Sequence, residues 1–144
     1  MKDPQARKLY AWEREFFDWN RDSLKLKQLR AVIHAACDRY GVPYPGKVVR
    51  QKDKNKKYSE QTKRGIWMLK GNHYNLATAL HEVAHHVTRC MYGKTVQNHG
   101  KEYLGIYLDL LLTFKVAPHD ALIPSLKSRK LRFITKLPNM KKSR

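Results

Sequence analysis

His81-Glu82-Val83-Ala84-His85, inside the segment Leu76–Tyr92, reads H-E-x-x-H. On a helix, two imidazoles four residues apart project from one face about a turn apart and can share one Zn²⁺. A glutamate beside the first can take a proton from a water in the open position. The surroundings predict a helix. Leu76, Leu80, Val83 and Val87 recur at i, i+4, i+7 and i+11, an apolar stripe that needs a core to pack against. Asn72 or Asn75 can cap its start, and Gly93 suits its end. The histidines fall at the edge of the stripe, where they would face a cleft.

A catalytic zinc site takes three protein ligands and keeps one position open. His81 and His85 supply two. The third must come from outside this helix, and His99 is the leading candidate, because a tight reversal after Gly93 returns it to the metal. Glu102, one turn further on, competes for that place. His86 is a poor choice, since the next helical position points roughly 100° away from His85. With those ligands, zinc lowers the pKa of a water toward about 7. Glu82 takes the proton as that water attacks a carbonyl and returns it to the leaving amine. Tyr103 and Tyr107 are candidates to stabilise the oxyanion.

Working outward, Asp3-Pro4 predicts a helix opening, and Leu9, Trp12, Phe16 and Trp19 give it an aromatic core-facing stripe. Asp22 or Ser23 can cap a second helix, with Leu26, Leu29, Ile33, Ala36 and Tyr40 on one face and Gly41 as its stop; His34 within it reads as structural or solvent-facing. Val48-Val49, Tyr58–Gln61 and Ile66–Leu69 predict three short strands in a meander, joined by polar turns. After the H-E-x-x-H helix, residues 93–98 form a polar connection. His99-Gly100 then opens a helix over Lys101 to about Phe114, with Leu104, Leu108, Leu111 and Leu112 inward. Pro118 starts a shorter helix holding Leu122. Leu131, Phe133 and Ile134 should dock on the body. These elements make an α+β fold, a single domain over residues 1–138 with a basic tail over 139–144.

Composition narrows the partners. The 144 residues carry thirty Lys and Arg against twelve Asp and Glu, a net charge of +18. That excess favours a polyanion, most often nucleic acid, through neutralised phosphates and released counterions. The run from Lys47 to Lys70 holds nine basic residues and two acidic ones, and the stretch Lys127–Arg144 eight and none. Cys37 and Cys90 sit in helical, apolar contexts and read as two small buried hydrophobes; without a CxxC pair no zinc ribbon can form. No signal-peptide run and no apolar stretch of membrane-spanning length stands in the sequence, so a reducing cytoplasm is the expected compartment and a monomer the expected state.

The motif together with His99-Gly100-Lys101-Glu102-Tyr103 resembles the SprT-like (Spartan/Wss1-type) zinc metalloproteases, whose pattern is HExxH followed by HGxx and an aromatic. The segment 65–69 leading into Asn75–His81 is similar to that family's strand-then-helix lead-in, and the resemblance covers roughly Tyr58 to Phe114. It implies a compact zincin-like fold, His99 as third ligand, and hydrolysis of DNA-bound protein, in a host cytoplasm if the chain is phage-encoded. Two departures stand out. The C-terminal cysteine-rich ribbon of many members is missing, and Tyr103 replaces the commoner Phe or Trp. Two other readings remain: a non-catalytic basic DNA- or RNA-binding protein with a structural or fortuitous metal site, and a metallohydrolase of another substrate.

Overall fold

The computed structural model describes residues 2–17, 24–69 and 75–138. Among them, in chain order, lie α1 (Ala6–Phe16), α2 (Leu26–Tyr40), β1 (Val48–Arg50), β2 (Glu60–Thr62), β3 (Gly65–Met68), α3 (Leu76–Tyr92), α4 (Lys101–Thr113) and α5 (His119–Ser128). The fold is α+β. Trp19, Asp22, Ser23, Asn72 and the tail from Asn139 lie outside the described residues.

The H-E-x-x-H helix forms as its sequence dictates. Asn75 caps α3, its side chain accepting from the Thr78 N–H at 2.8 Å, and Gly93 ends it at φ 69°, a left-handed value that costs glycine little. Ala79, Leu80, Val83, Ala84 and Val87 are fully buried against α2 and α4. α4 is buried nearly all round: Tyr103, Leu104, Ile106, Tyr107, Leu108, Leu110 and Leu111 all lie inside, while Leu112, expected inward, is only half-buried. α2 buries the expected face and stops at Gly41. Its start rests on Gln28, whose side chain accepts from the Lys25 N–H at 2.8 Å. Asp109 on α4 ties back to α2, accepting two hydrogen bonds from Arg39 at 2.9 Å and one from the Tyr40 hydroxyl at 2.5 Å. His34 stacks on Tyr44 with ring centroids 4.0 Å apart, a structural contact.

The sheet is not a meander. Its order is β1-β3-β2, with β3 antiparallel to β2 and parallel to β1, Val48 opposite Ile66. Burial explains the order. β3 carries Ile66 and Met68, both fully buried, and takes the centre, whereas the polar Glu60-Gln61-Thr62 suits an edge. β2 and β3 both pack against α3, which brings residues 58–61 opposite the histidines.

Two further expectations are corrected. Asp3 does not cap α1, which begins after Gln5; its carboxylate is drawn to His99 instead. Cys37 is buried but Cys90 is exposed, because Cys90 stands on the outer face of α3 beside His86. Burial pushes the Cys37 thiol up to about 12. A native-state thiol titration should therefore consume one fast equivalent, lost in Cys90→Ser, and the second only on unfolding.

The segment after α5 docks as its apolar residues suggest. Leu131 is buried, the Ile134 N–H donates to the Lys101 carbonyl at 3.1 Å, and Gln5 accepts from the Arg132 N–H at 2.5 Å while donating to its carbonyl at 3.1 Å. Gly105 makes room for it: a Cβ there would stand 2.8 Å from the Ile134 carbonyl oxygen and against its Cγ1. Gly105→Ala should cost about 1–3 kcal/mol in denaturant unfolding, the usual range for overpacking. An unchanged midpoint would show that the segment shifts freely.

Candidate metal centre

α3 presents His81 and His85 one turn apart, with ring centroids 5.1 Å apart. The chain reverses at Gly93, and the turn before α4 returns His99 to them, its ring 5.5 Å from His81 and 4.6 Å from His85. One ligand nitrogen from each of the three lies within 4.8 Å of the others. They open onto a cleft of about 800 Å³, whose walls include Glu82, Tyr10 and the Tyr58–Gln61 segment.

The side chains that hold these imidazoles come mostly from α1 and the residues before it. His81 Nδ1 donates to Glu13 Oε2 at 2.7 Å, and His99 Nδ1 to Asp3 Oδ2 at 2.6 Å. An ionised carboxylate only accepts, so Nδ1 carries the proton in both rings. Nε2 is thereby the lone-pair nitrogen of each ring, the tautomer that orients metal-bound histidines; in His99 it accepts from the Tyr10 hydroxyl at 3.3 Å. Glu13 Oε2 also accepts from the Tyr107 hydroxyl at 2.7 Å. The Asp3 carboxylate accepts from the His99 N–H at 3.1 Å, and Gln5 donates to the His99 carbonyl at 3.0 Å. His85 is positioned by packing, stacked on the Tyr103 ring at 4.3 Å.

Burial and neighbouring charge set the protonation. Burial pushes the Glu82 carboxyl up to about 7. For Glu13 burial acts upward too, but the His81 charge and hydrogen bonds from His81 and Tyr107 bring it below the usual carboxylate range. Burial alone would lower His81, yet the Glu13 charge and hydrogen bond carry it up to about 9. His85 is driven well below the ordinary histidine value by burial and by the charges of His81 and His99, and His99 is lowered by burial. These directions come from the protein's own groups; a bound dication would favour the deprotonated form of each.

Of the residues singled out in sequence, His81, His85 and His99 come together and Glu82 lines the same cleft. Glu102 does not join them; it stands in the first turn of α4, where its charge is felt by Tyr92. His86 points elsewhere, donating to the Pro43 carbonyl at 2.6 Å. Tyr103 and Tyr107 cannot serve an oxyanion, because both are fully buried with hydroxyls committed to the His81 carbonyl and Glu13. Two tyrosines line the cleft, Tyr10 and Tyr58, and the Tyr10 hydroxyl lies 3.3 Å from His99 Nε2. Sequence reasoning missed Asp3, Gln5, Tyr10 and Glu13. Only Glu13 left a signal, a carboxylate on the apolar stripe between Trp12 and Phe16.

Three imidazole donors on one side of an open cleft fit a borderline cation such as zinc, with room for a further ligand. Comparison of the chain with protein-family models, curated proteins and solved structures gives no match.

Proposed function

We propose that the chain is a zinc-dependent metallopeptidase of the SprT-like, zincin type, acting on nucleic-acid-associated proteins. The observation that carries the reading is the return of His99 to the H-E-x-x-H pair with Glu82 lining the same cleft. His81, His85 and His99 would hold the ion. When bound, zinc supplies Lewis acidity, polarising a carbonyl and lowering the pKa of water. Glu82 takes the proton of the attacking water and delivers it to the amide nitrogen as the C–N bond breaks. Glu13 and Asp3 keep two of the imidazoles in the right tautomer. β2, the sheet edge whose Glu60 and Gln61 line the cleft, offers backbone groups to an extended peptide.

The address rests on charge. Lys47, Arg50, Lys52, Lys54, Lys57, Lys63 and Arg64 are exposed on the sheet and its loops, and Lys127, Lys130, Arg132 and Lys136 near the C-terminal segment. Deleting residues 127–144 is a poor test of that surface, because it also removes Leu131 from the core. Changing Lys52, Lys54 and Lys57 to serine should instead weaken binding to duplex DNA and flatten its salt dependence, by about 0.9 in the log–log slope for each phosphate no longer neutralised. An unchanged slope would remove this loop from the interface.

The same charge supports a second reading, a basic nucleic-acid-binding protein whose metal site is structural. Metal analysis combined with cleavage of a DNA-bound protein, with and without single-stranded DNA, separates the two. The peptidase reading expects one zinc per chain, cleavage abolished by a chelator, and recovery on zinc addition. One zinc per chain with no cleavage of any DNA-bound protein offered would leave the binding reading.

A further inference from the structure

Tyr10 stands apart from the other tyrosines around the histidines. Its hydroxyl is hydrogen-bonded at 3.3 Å to His99 Nε2, the lone-pair nitrogen once Nδ1 is committed to Asp3 and the one that would bind a cation. Its ring flanks two of the three histidines, roughly parallel to His81 at 6.2 Å and edge-on to His99 at 5.2 Å. Tyr103 and Tyr107 are sealed in the core with committed hydroxyls, whereas Tyr10 is 42% exposed at the rim of the cleft.

The spacing is informative. Ligand atoms held at about 2.0–2.1 Å by a tetrahedral zinc stand about 3.3–3.4 Å from one another. The Tyr10 oxygen and His99 Nε2 already have the separation of two such ligands. Without a metal the same contact is a hydrogen bond, the Tyr10 hydroxyl donating to the Nε2 lone pair, so an ion bound at that nitrogen meets the phenol oxygen already beside it.

We propose that Tyr10 is a fourth, displaceable protein ligand of the metal centre, closing the site until a substrate takes its place. The proposal rests on the three-histidine metal site of the reading above, and not on the identity of the substrate. On ligation the phenol releases its proton to solvent through the cleft; on displacement the phenolate takes one back from water. The exposed ring can swing outward without opening the core. The centre would thus be closed at rest, with four protein ligands, and open only when engaged.

The test uses the full chain loaded with one equivalent of Cu²⁺, for which a phenolate ligand gives a charge-transfer absorption in the visible that histidine ligands do not. Wild type should show the band. Tyr10→Phe should lose it while still binding one copper per chain, and Tyr58→Phe, at the same cleft, should keep it. With zinc, Tyr10→Phe should raise kcat/KM several-fold for a peptide substrate, because a competing ligand has been removed. One bound copper with no band in wild type, or a band that survives in Tyr10→Phe, overturns the proposal. A fall in kcat/KM in Tyr10→Phe overturns the displaceable role. A chain with the band and no peptidase activity keeps the ligand and overturns the peptidase reading, whereas a chain that takes up no metal overturns both.

Discussion

Glu82→Gln is expected to leave one zinc per chain and to lower turnover by about 10²–10⁴-fold, the usual contribution of a positioned general base. The amide keeps the size and shape of the carboxyl on a well-packed helix, so His81 and His85 stay in place. Glu82 is not among the three clustered ligand residues, which is why the metal content should not fall. What the variant loses is the ability to accept a proton. A second, opposite effect should accompany the loss. Burial raises the folded-state pKa of Glu82 from 4.5 to about 7, so the ionised carboxylate is disfavoured in the fold relative to the unfolded chain. For an acid shifted upward, that penalty is absent below the unfolded value, grows as pH rises through the window between the two, and is fully present above the folded one. The neutral glutamine escapes it. Melting of the chelator-treated proteins at pH 8 should therefore find Glu82→Gln more stable than wild type, while the two converge near pH 4. A variant that is less active and more stable is what a functional group held in an unfavourable place produces. Turnover within tenfold of wild type, at equal zinc content, would mean that the base is another residue or that the activity belongs to a contaminant.

Much of the site was legible because its determinants are local. The pair His81 and His85, the Asn75 cap and the Gly93 stop all fall within one helix and its flanks, where period and caps are written in consecutive residues. His99 was within reach of the same logic, since one short connection separates it from that helix. What could not be read is what depends on distant partners. The pairing of Glu13 with His81 spans 68 positions and that of Asp3 with His99 spans 96, and no local pattern encodes either. α1 reads as an aromatic core helix, which Leu9 and Trp12 bear out; that correct reading hid the polar residues beside them. Asp3-Pro4 looked like a cap because a cap is the local use of an aspartate, and a long-range partner won. The sheet failed in the same way. Sequence proximity favours a meander, whereas the full burial of Ile66 and Met68 puts β3 between two partners.

Glu13 therefore carries the prediction that tests the unforeseen half of the site. One of its oxygens, Oε2, accepts from both His81 Nδ1 and the Tyr107 hydroxyl, at 2.7 Å each. Glu13→Gln can still offer an oxygen to both donors but not the negative charge. Glu13→Ala removes the acceptor altogether and leaves two buried donors unpaired. Outer partners of metal-bound histidines typically contribute about 10–100-fold in metal affinity. Glu13→Gln should fall at the lower end of that range, and Glu13→Ala at the upper. The stabilities should separate more sharply. Each buried donor left without a partner costs about 1–3 kcal/mol, so Glu13→Ala should unfold markedly earlier while Glu13→Gln stays closer to wild type. Tyr107→Phe supplies the cross-check: it removes one donor and leaves the His81 bond, so zinc affinity should change little. Competition with a chelator of known affinity gives the first quantity and denaturant unfolding the second. If both Glu13 variants bound zinc as tightly as wild type, α1 would be packing alone and the orienting role assigned to its carboxylate would be wrong. If Glu13→Gln alone bound as wild type, the hydrogen bond rather than the charge would be what holds the His81 ring to the metal.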